Sequence, residues 1–181
     1  ILATSVWLRY LQACGEEFTF PSNGYKGDYV LDIAATLKTD FGEELRRASS
    51  DVFANVPTDE PEGGDKEQHI DGLIINAKLL LSEAVYKTVF DLGLKLIIAD
   101  IRTDLADFGT DYDEWFSERS LMESGDVEKA IEQLKASNVL YEKEGAWWFK
   151  STDYGDEKDR VVVRDNGQTT YFASDIAYHL N

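Results

Sequence analysis

Apolar residues recur at helical spacing through the first two-thirds of the chain, and strand-like texture appears only near its end. Over residues 1–13, Leu2, Val6 or Trp7, and Tyr10 or Leu11 mark one helix that Cys14-Gly15 can stop. Phe20 to Gly24 reads as a turn. Gly27-Asp28 can then open a second helix, with Asp28 as its cap and with Val30, Ile33, Ala34 and Leu37 on one face, running to about Arg47. Residues 49–65 carry prolines, paired glycines and acids, the texture of a solvated, mobile loop. Ile70, Leu73, Ile74, Ala77 and Leu81 begin a helical pattern that lasts to Asp107. Its length predicts two helices, broken around Ser82 or near Asp91 to Gly93.

After Phe108-Gly109, residues 113–117 are a candidate aromatic strand, and Gly125-Asp126 opens a helix through Ala136. The period then shortens. Residues 139–141 and 146–150 flank a Glu144-Gly145 turn, residues 152–159 form a charged loop, and Arg160 to Val163 precedes an Asp165-Asn166-Gly167 turn. Residues 169–173 read as a last strand, and Ser174 or Asp175 as the cap of a helix starting at Ile176. The expected class is therefore mixed α/β, mainly helical at first with a smaller α/β part at the end. The expected divisions are a helical segment over 1–48, an acidic loop or linker over 49–66, a helical insertion over 67–138 and an α/β part over 139–181.

Composition narrows the function. The chain has 181 residues, with 35 acids against 18 bases and a formal charge of −17. Such a surface repels phosphate backbones, so weak or no nucleic-acid binding is expected of this chain alone. Cys14 is the one cysteine, which excludes an internal disulfide and a multi-cysteine zinc site. His69 and His179 lack metal-ligand spacing, and no metal site is expected. No apolar run has membrane-spanning length and no signal peptide opens the chain, so a cytoplasmic protein is expected. Ile1 in place of Met, and an ending shortly after a helix start, suggest a piece of a longer protein.

Four stretches could carry chemistry. Tyr171 and Asp175 lie four residues apart at a strand-to-helix corner. A carboxylate there can take two hydrogen bonds from a guanidinium while the phenol supplies a second contact, although helix capping and packing also explain the pair. Residues 151–160 alternate charges around Gly155, either as a solvated loop or as a loop lining a site. Asn23 to Tyr29 frames Tyr25 and Lys26 with glycines, but GxxxxGK[ST] and GxGxxG are absent and a helix entry suffices. Asp113 to Leu121 sets Trp115 and Phe116 beside Glu118 and Arg119, where packing and a surface ion pair are the default. No GxSxG elbow supports a serine nucleophile.

Taken together, ILATSVWLRYLQACGEEFTFPSNGYKGDYVLDIA, YDEWFSERSL, GAWWFKSTDYGDEKDRVVVR and TTYFASDIAYHLN resemble, in that order, the central part of bacterial arginyl-tRNA synthetases. The resemblance implies part of a class I nucleotide-binding fold of parallel strands and helices, with an inserted helical connective region. It implies an enzyme that activates arginine with ATP and Mg and passes it to tRNA(Arg). Tyr171 and Asp175 match a Tyr-x-x-x-Asp element that contacts arginine, the aspartate taking the guanidinium. His179 falls close by as a possible lining residue, and no catalytic residue is assigned. The family's HIGH-type and KMSKS-type motifs do not occur here, so these 181 residues alone are expected to be inactive, and the parent enzyme is expected to be a monomer. An exposed sheet edge at 169–173 could let the piece self-associate. The alternative is an acidic protein-interaction module without catalytic activity.

Overall fold

The computed structural model describes residues 1–180 and divides into two compact units, Ile1–Asp111 and Tyr112–Asn181. The helices Lys66–Leu81 and Glu83–Asp107 fall in the first unit and the helices Glu118–Glu123 and Asp126–Ala136 in the second, within the stretch expected as one helical insertion over 67–138.

The first unit is built around α1 (Leu2–Ala13), with α2 (Asp28–Phe41), α4 (Lys66–Leu81) and α5 (Glu83–Asp107) packed on it and a single turn, α3 (Ser49–Val52), against α4. Ala3, Val6, Trp7, Leu8, Tyr10 and Leu11 are all buried, so α1 is enclosed on most of its circumference. Its polar groups find partners. Trp7 Nε1 donates to Leu45 O at 2.9 Å, Tyr10 OH donates to Gly42 O at 2.9 Å and accepts from Leu45 N–H at 3.2 Å, and the Thr4 and Tyr86 hydroxyls meet at 2.8 Å.

The break between α4 and α5 falls at Ser82, where φ is 71°. The second helix, in contrast, stops at Phe41 and does not reach Arg47. Gly42 leaves the helix at φ 57°, and the following turns hold Gly42 O and Leu45 against the buried Tyr10. Gly27, not Asp28, stands at its N-cap. The acidic segment expected as a solvated loop contains α3 and a 3-10 turn over Glu60–Glu62, and Val52 is fully buried. Asp59 ties it down by accepting from the backbone N–H and hydroxyl of Ser22 and from Glu60 N–H.

The second unit runs α6 (Glu118–Glu123), α7 (Asp126–Ala136), β1 (Leu140–Lys143), β2 (Ala146–Phe149), β3 (Arg160–Val163) and α8 (Tyr171–Leu180). Its sheet is an antiparallel meander in the order β1-β2-β3, with Leu140 opposite Phe149 and Trp147 opposite Val163. The Glu144-Gly145 turn has positive φ at both residues, the geometry that suits a two-residue hairpin. Leu121, Val127, Ala130, Ile131, Leu140, Val162, Ala173 and Ala177 form the core. The whole is mixed α/β, as expected, but the parallel strands implied by the resemblance are not among the described residues. Residues 113–117 form no strand, and no helix among the described residues is long and apolar enough to cross a membrane.

Candidate functional site

The corner between β3 and α8 starts from turn chemistry. Gly167, at φ 82°, donates its N–H to Arg164 O, and Arg164 N–H donates to Gln168 O at 2.8 Å, reversing the chain after β3. Thr169 makes one antiparallel bridge to Val163, and there strand geometry ends. Thr170 is bound to β3 twice, its N–H donating to Val162 O at 3.0 Å and its hydroxyl to Val161 O at 2.7 Å. Its own carbonyl accepts from Ala173 N–H and Ser174 N–H, starting α8.

The helix thus begins at Tyr171, five residues before the expected start at Ile176. The strand expected over 169–173 is absent, and with it the sheet edge on which self-association was expected. The physical reason is the core. Phe172, Ala173, Ile176 and Ala177 make a helical stripe that the α7 and β3 side chains enclose, and this packing overrides the β-propensity of Thr169 to Phe172. Ser174 and Asp175 sit inside the helix and cap nothing.

With that stripe turned inward, Tyr171, Asp175 and His179 lie on the exposed side. Tyr171 is 84% exposed, and Asp175 and His179 are exposed as well. Four residues advance a helix by just over one turn, so Asp175 follows Tyr171 with about 40° of rotation and about 6 Å of rise. The Asp175 carboxylate has no hydrogen bond or ion pair among the described residues. His179 continues the row, its ring 5.4 Å from that of Tyr178.

The other three stretches make internal contacts. In residues 151–160, Asp159 accepts from the Thr152 N–H (3.1 Å), the Thr152 hydroxyl (2.8 Å) and the Tyr141 hydroxyl (2.8 Å), closing a 3-10 turn over Ser151–Tyr154. The Thr152 N–H foremost, then the two hydroxyls, hold the Asp159 carboxyl below its usual range. Asp156 takes Arg160 in a two-bond fork at 2.7 and 2.9 Å, which lowers its pKa to about 2. Between Asn23 and Tyr29, Tyr25 N–H donates to the buried Ser5 hydroxyl, and a Cβ on Gly24 would stand 2.6 Å from the Phe20 ring. In the stretch from Asp113 to Leu121, Leu121 is buried and Arg119 reaches Glu123 at 3.4 Å. Phe116, which the sequence alone offers as packing, instead meets Tyr178 on the exposed side of α8, their centroids 4.8 Å apart. Tyr178 itself was legible only as the residue seven positions after Tyr171.

The first unit holds a cavity of about 330 Å³ lined by Phe18, Phe53, Asp59 and His69 among others. Two of its polar walls, Asp59 and His69, are already engaged. Burial raises the Asp59 pKa, but the Ser22 and Glu60 donors outweigh it and hold the carboxyl below its usual range, while His69 Nδ1 stands 2.6 Å from Pro57 O. Among the described residues no cluster of three or more His, Cys, Asp or Glu is placed to hold a metal.

No family model matches the chain. Individual proteins do. An arginine–tRNA ligase of Thioalkalivibrio sulfidiphilus is 60% identical across the whole chain, and one of Hydrogenovibrio crunogenus is 59% identical. The chain is homologous to part of an arginine–tRNA ligase. It spans only 31% of the Thioalkalivibrio protein and 32% of the Hydrogenovibrio one. A crystal structure of a Campylobacter jejuni protein assigned as an arginyl-tRNA synthetase aligns with 98% of the chain and 31% of its own length, at a TM-score of 0.68 and 26% identity. The resemblance carried by the four motifs thus extends over the entire sequence.

Proposed function

We propose that this chain contributes the arginine-recognition corner of an arginyl-tRNA synthetase, whose whole protein joins arginine to tRNA(Arg) at the expense of ATP, with Mg accompanying the nucleotide as substrate, in the cytoplasm. The observation that carries it is the exposed, unpartnered Tyr171 and Asp175 pair on one face of α8. Asp175 takes the guanidinium through parallel N–H···O bonds, and Tyr171 contacts the same ligand one turn earlier. Lysine cannot reproduce the fork and citrulline lacks the charge, so the carboxylate discriminates against both. His179 lines the far end of this face. Positioning of ATP phosphates falls to residues beyond these, so the 181 residues alone form no arginyl-adenylate.

Calorimetric titration of the chain with arginine, lysine and citrulline tests the site, with Asp175→Asn as the comparison. Arginine binding that Asp175→Asn abolishes is the expected result; equal affinity for citrulline, or an Asp175→Asn variant that binds normally, refutes the assignment. Detectable ATP–pyrophosphate exchange by the chain with tRNA added would overturn its inactivity.

A further inference from the structure

Resting on the arginine-site reading above, we infer that Tyr178, braced by Phe116, is a specificity-determining residue that forms an aromatic wall beside the guanidinium held at Asp175. Tyr178 follows Tyr171 by seven residues, which returns it to the same side of α8, about 20° from Tyr171 in rotation and about 4.5 Å beyond Asp175 along the axis. The exposed row therefore reads phenol, carboxylate, phenol. Tyr178 is 50% exposed and Phe116 is 41% exposed, so both rings have surface facing outward while touching one another. Their planes meet at 66° with centroids 4.8 Å apart, an edge-to-face contact that fixes the Tyr178 ring.

The occupant follows from charge. Asp175 lacks a cationic partner among the described residues and is flanked along the helix by the exposed Tyr171 and Tyr178, rings whose π-faces attract a planar cation and are indifferent to a neutral urea. Elsewhere in the chain the same chemistry is satisfied internally, with the Arg9 guanidinium 3.8 Å from the Phe20 ring centroid and Lys135 Nζ 3.8 Å from that of Trp147. On α8 the rings and the carboxylate stand ready without a cation. The fit is to the guanidinium of free arginine, with the carboxylate supplying directional bonds and Tyr178 supplying a face that orients the plane.

Arginine titrations of the wild-type chain, Tyr178→Leu, Tyr178→Phe, Phe116→Leu and Asp175→Asn, each checked for folding by circular dichroism, test this. Tyr178→Leu is expected to weaken binding about three- to five-fold, as an exposed cation–π contact predicts. Tyr178→Phe keeps the ring and should stay within about two-fold of wild type. Phe116→Leu removes the brace while leaving every residue of α8 in place, should weaken binding in the same direction, and carries the test if Tyr178→Leu does not fold. Unchanged affinity in the folded leucine variants, with Asp175→Asn still abolishing binding, overturns the aromatic wall and leaves the Asp175 assignment standing. No binding to folded wild type, or normal binding by Asp175→Asn, overturns both.

Discussion

Replacing Thr170 with valine keeps the shape of the side chain and removes one hydroxyl, isolating the link between β3 and the helix that carries the candidate site. In the native chain that hydroxyl donates to Val161 O at 2.7 Å and lies 3.3 Å from Val162 O, in a half-buried position. Its loss forfeits one hydrogen bond and leaves a partly desolvated carbonyl short of a donor, together about 1–2 kcal/mol. Because the backbone N–H of Thr170 still bonds to Val162 O, the start of α8 loosens without detaching. The cost should therefore appear locally. Amide hydrogen exchange at Ala173 and Ser174, whose N–H groups bond to Thr170 O, should accelerate about 5- to 30-fold, with residues of α2 and α4 unaffected. Thr170→Ser restores the donor and should recover most of the protection. Exchange in Thr170→Val that matches wild type, or that rises equally in both units, would refute the anchor.

Asp59→Ala strips three donors of their shared acceptor and should destabilise the first unit by about 2–3 kcal/mol in urea unfolding. Because the Asp59 pKa is depressed on folding, its contribution is complete above the unfolded carboxylate value of about 3.9 and is lost as pH falls through the folded value; acid unfolding of Asp59→Asn should lack that component. Tyr10, pushed up to about 12 by burial and then by its contact with Cys14, should ionise only near pH 12 in an ultraviolet pH titration. Its stabilising contribution is present below the unfolded value of about 10 and is lost as pH rises through 12, and Tyr10→Phe should remove the late step. In carbon-detected titration, Asp156 should protonate near pH 2, and Arg160→Gln should raise that midpoint; an unchanged midpoint would mean the fork does not persist in solution.

Local chemistry was most legible where one strong signal stood alone. The apolar spacing over α4 and α5 predicted both helices and offered two places for the break, Ser82 and the Asp91 to Gly93 stretch, of which the chain uses Ser82, and Glu144-Gly145 predicted the hairpin. Errors arose where tertiary contacts competed with propensity. Nothing near Gly42 in sequence says that Tyr10, 32 residues earlier, requires its carbonyl, so the early end of α2 was hidden. Thr169 to Phe172 has the composition of a strand, yet the stripe from Phe172 to Ala177 has helical period, and the core of the second unit chose the latter. Tyr171 and Asp175 were legible as a pair through their spacing and the family resemblance. Phe116 was not, because a contact with Tyr178 across 62 residues leaves no local trace.

That last contact bears on the choice between a ligase piece and an acidic interaction module. A self-contained module would satisfy its functional-looking side chains internally, as Asp59, Asp156 and Asp159 are satisfied here by Ser22, Arg160, Thr152 and Tyr141. The α8 face does the opposite. It holds an exposed tyrosine, an unpaired carboxylate and a braced aromatic pair in one row, with surface left open to a ligand. Helix periodicity explains why they share a face but not why that face is phenol, carboxylate and phenol, whereas the proposed recognition of a planar cation would account for all three together. In the proposed site one helix face would give a guanidinium a floor and one wall, and the opposite wall, with the partners of the ligand's α-amino and α-carboxyl groups, would come from residues other than these. Weak, Asp175-dependent binding with discrimination concentrated on the guanidinium is therefore the behaviour this geometry demands, and tight binding that ignored the side-chain terminus would contradict it.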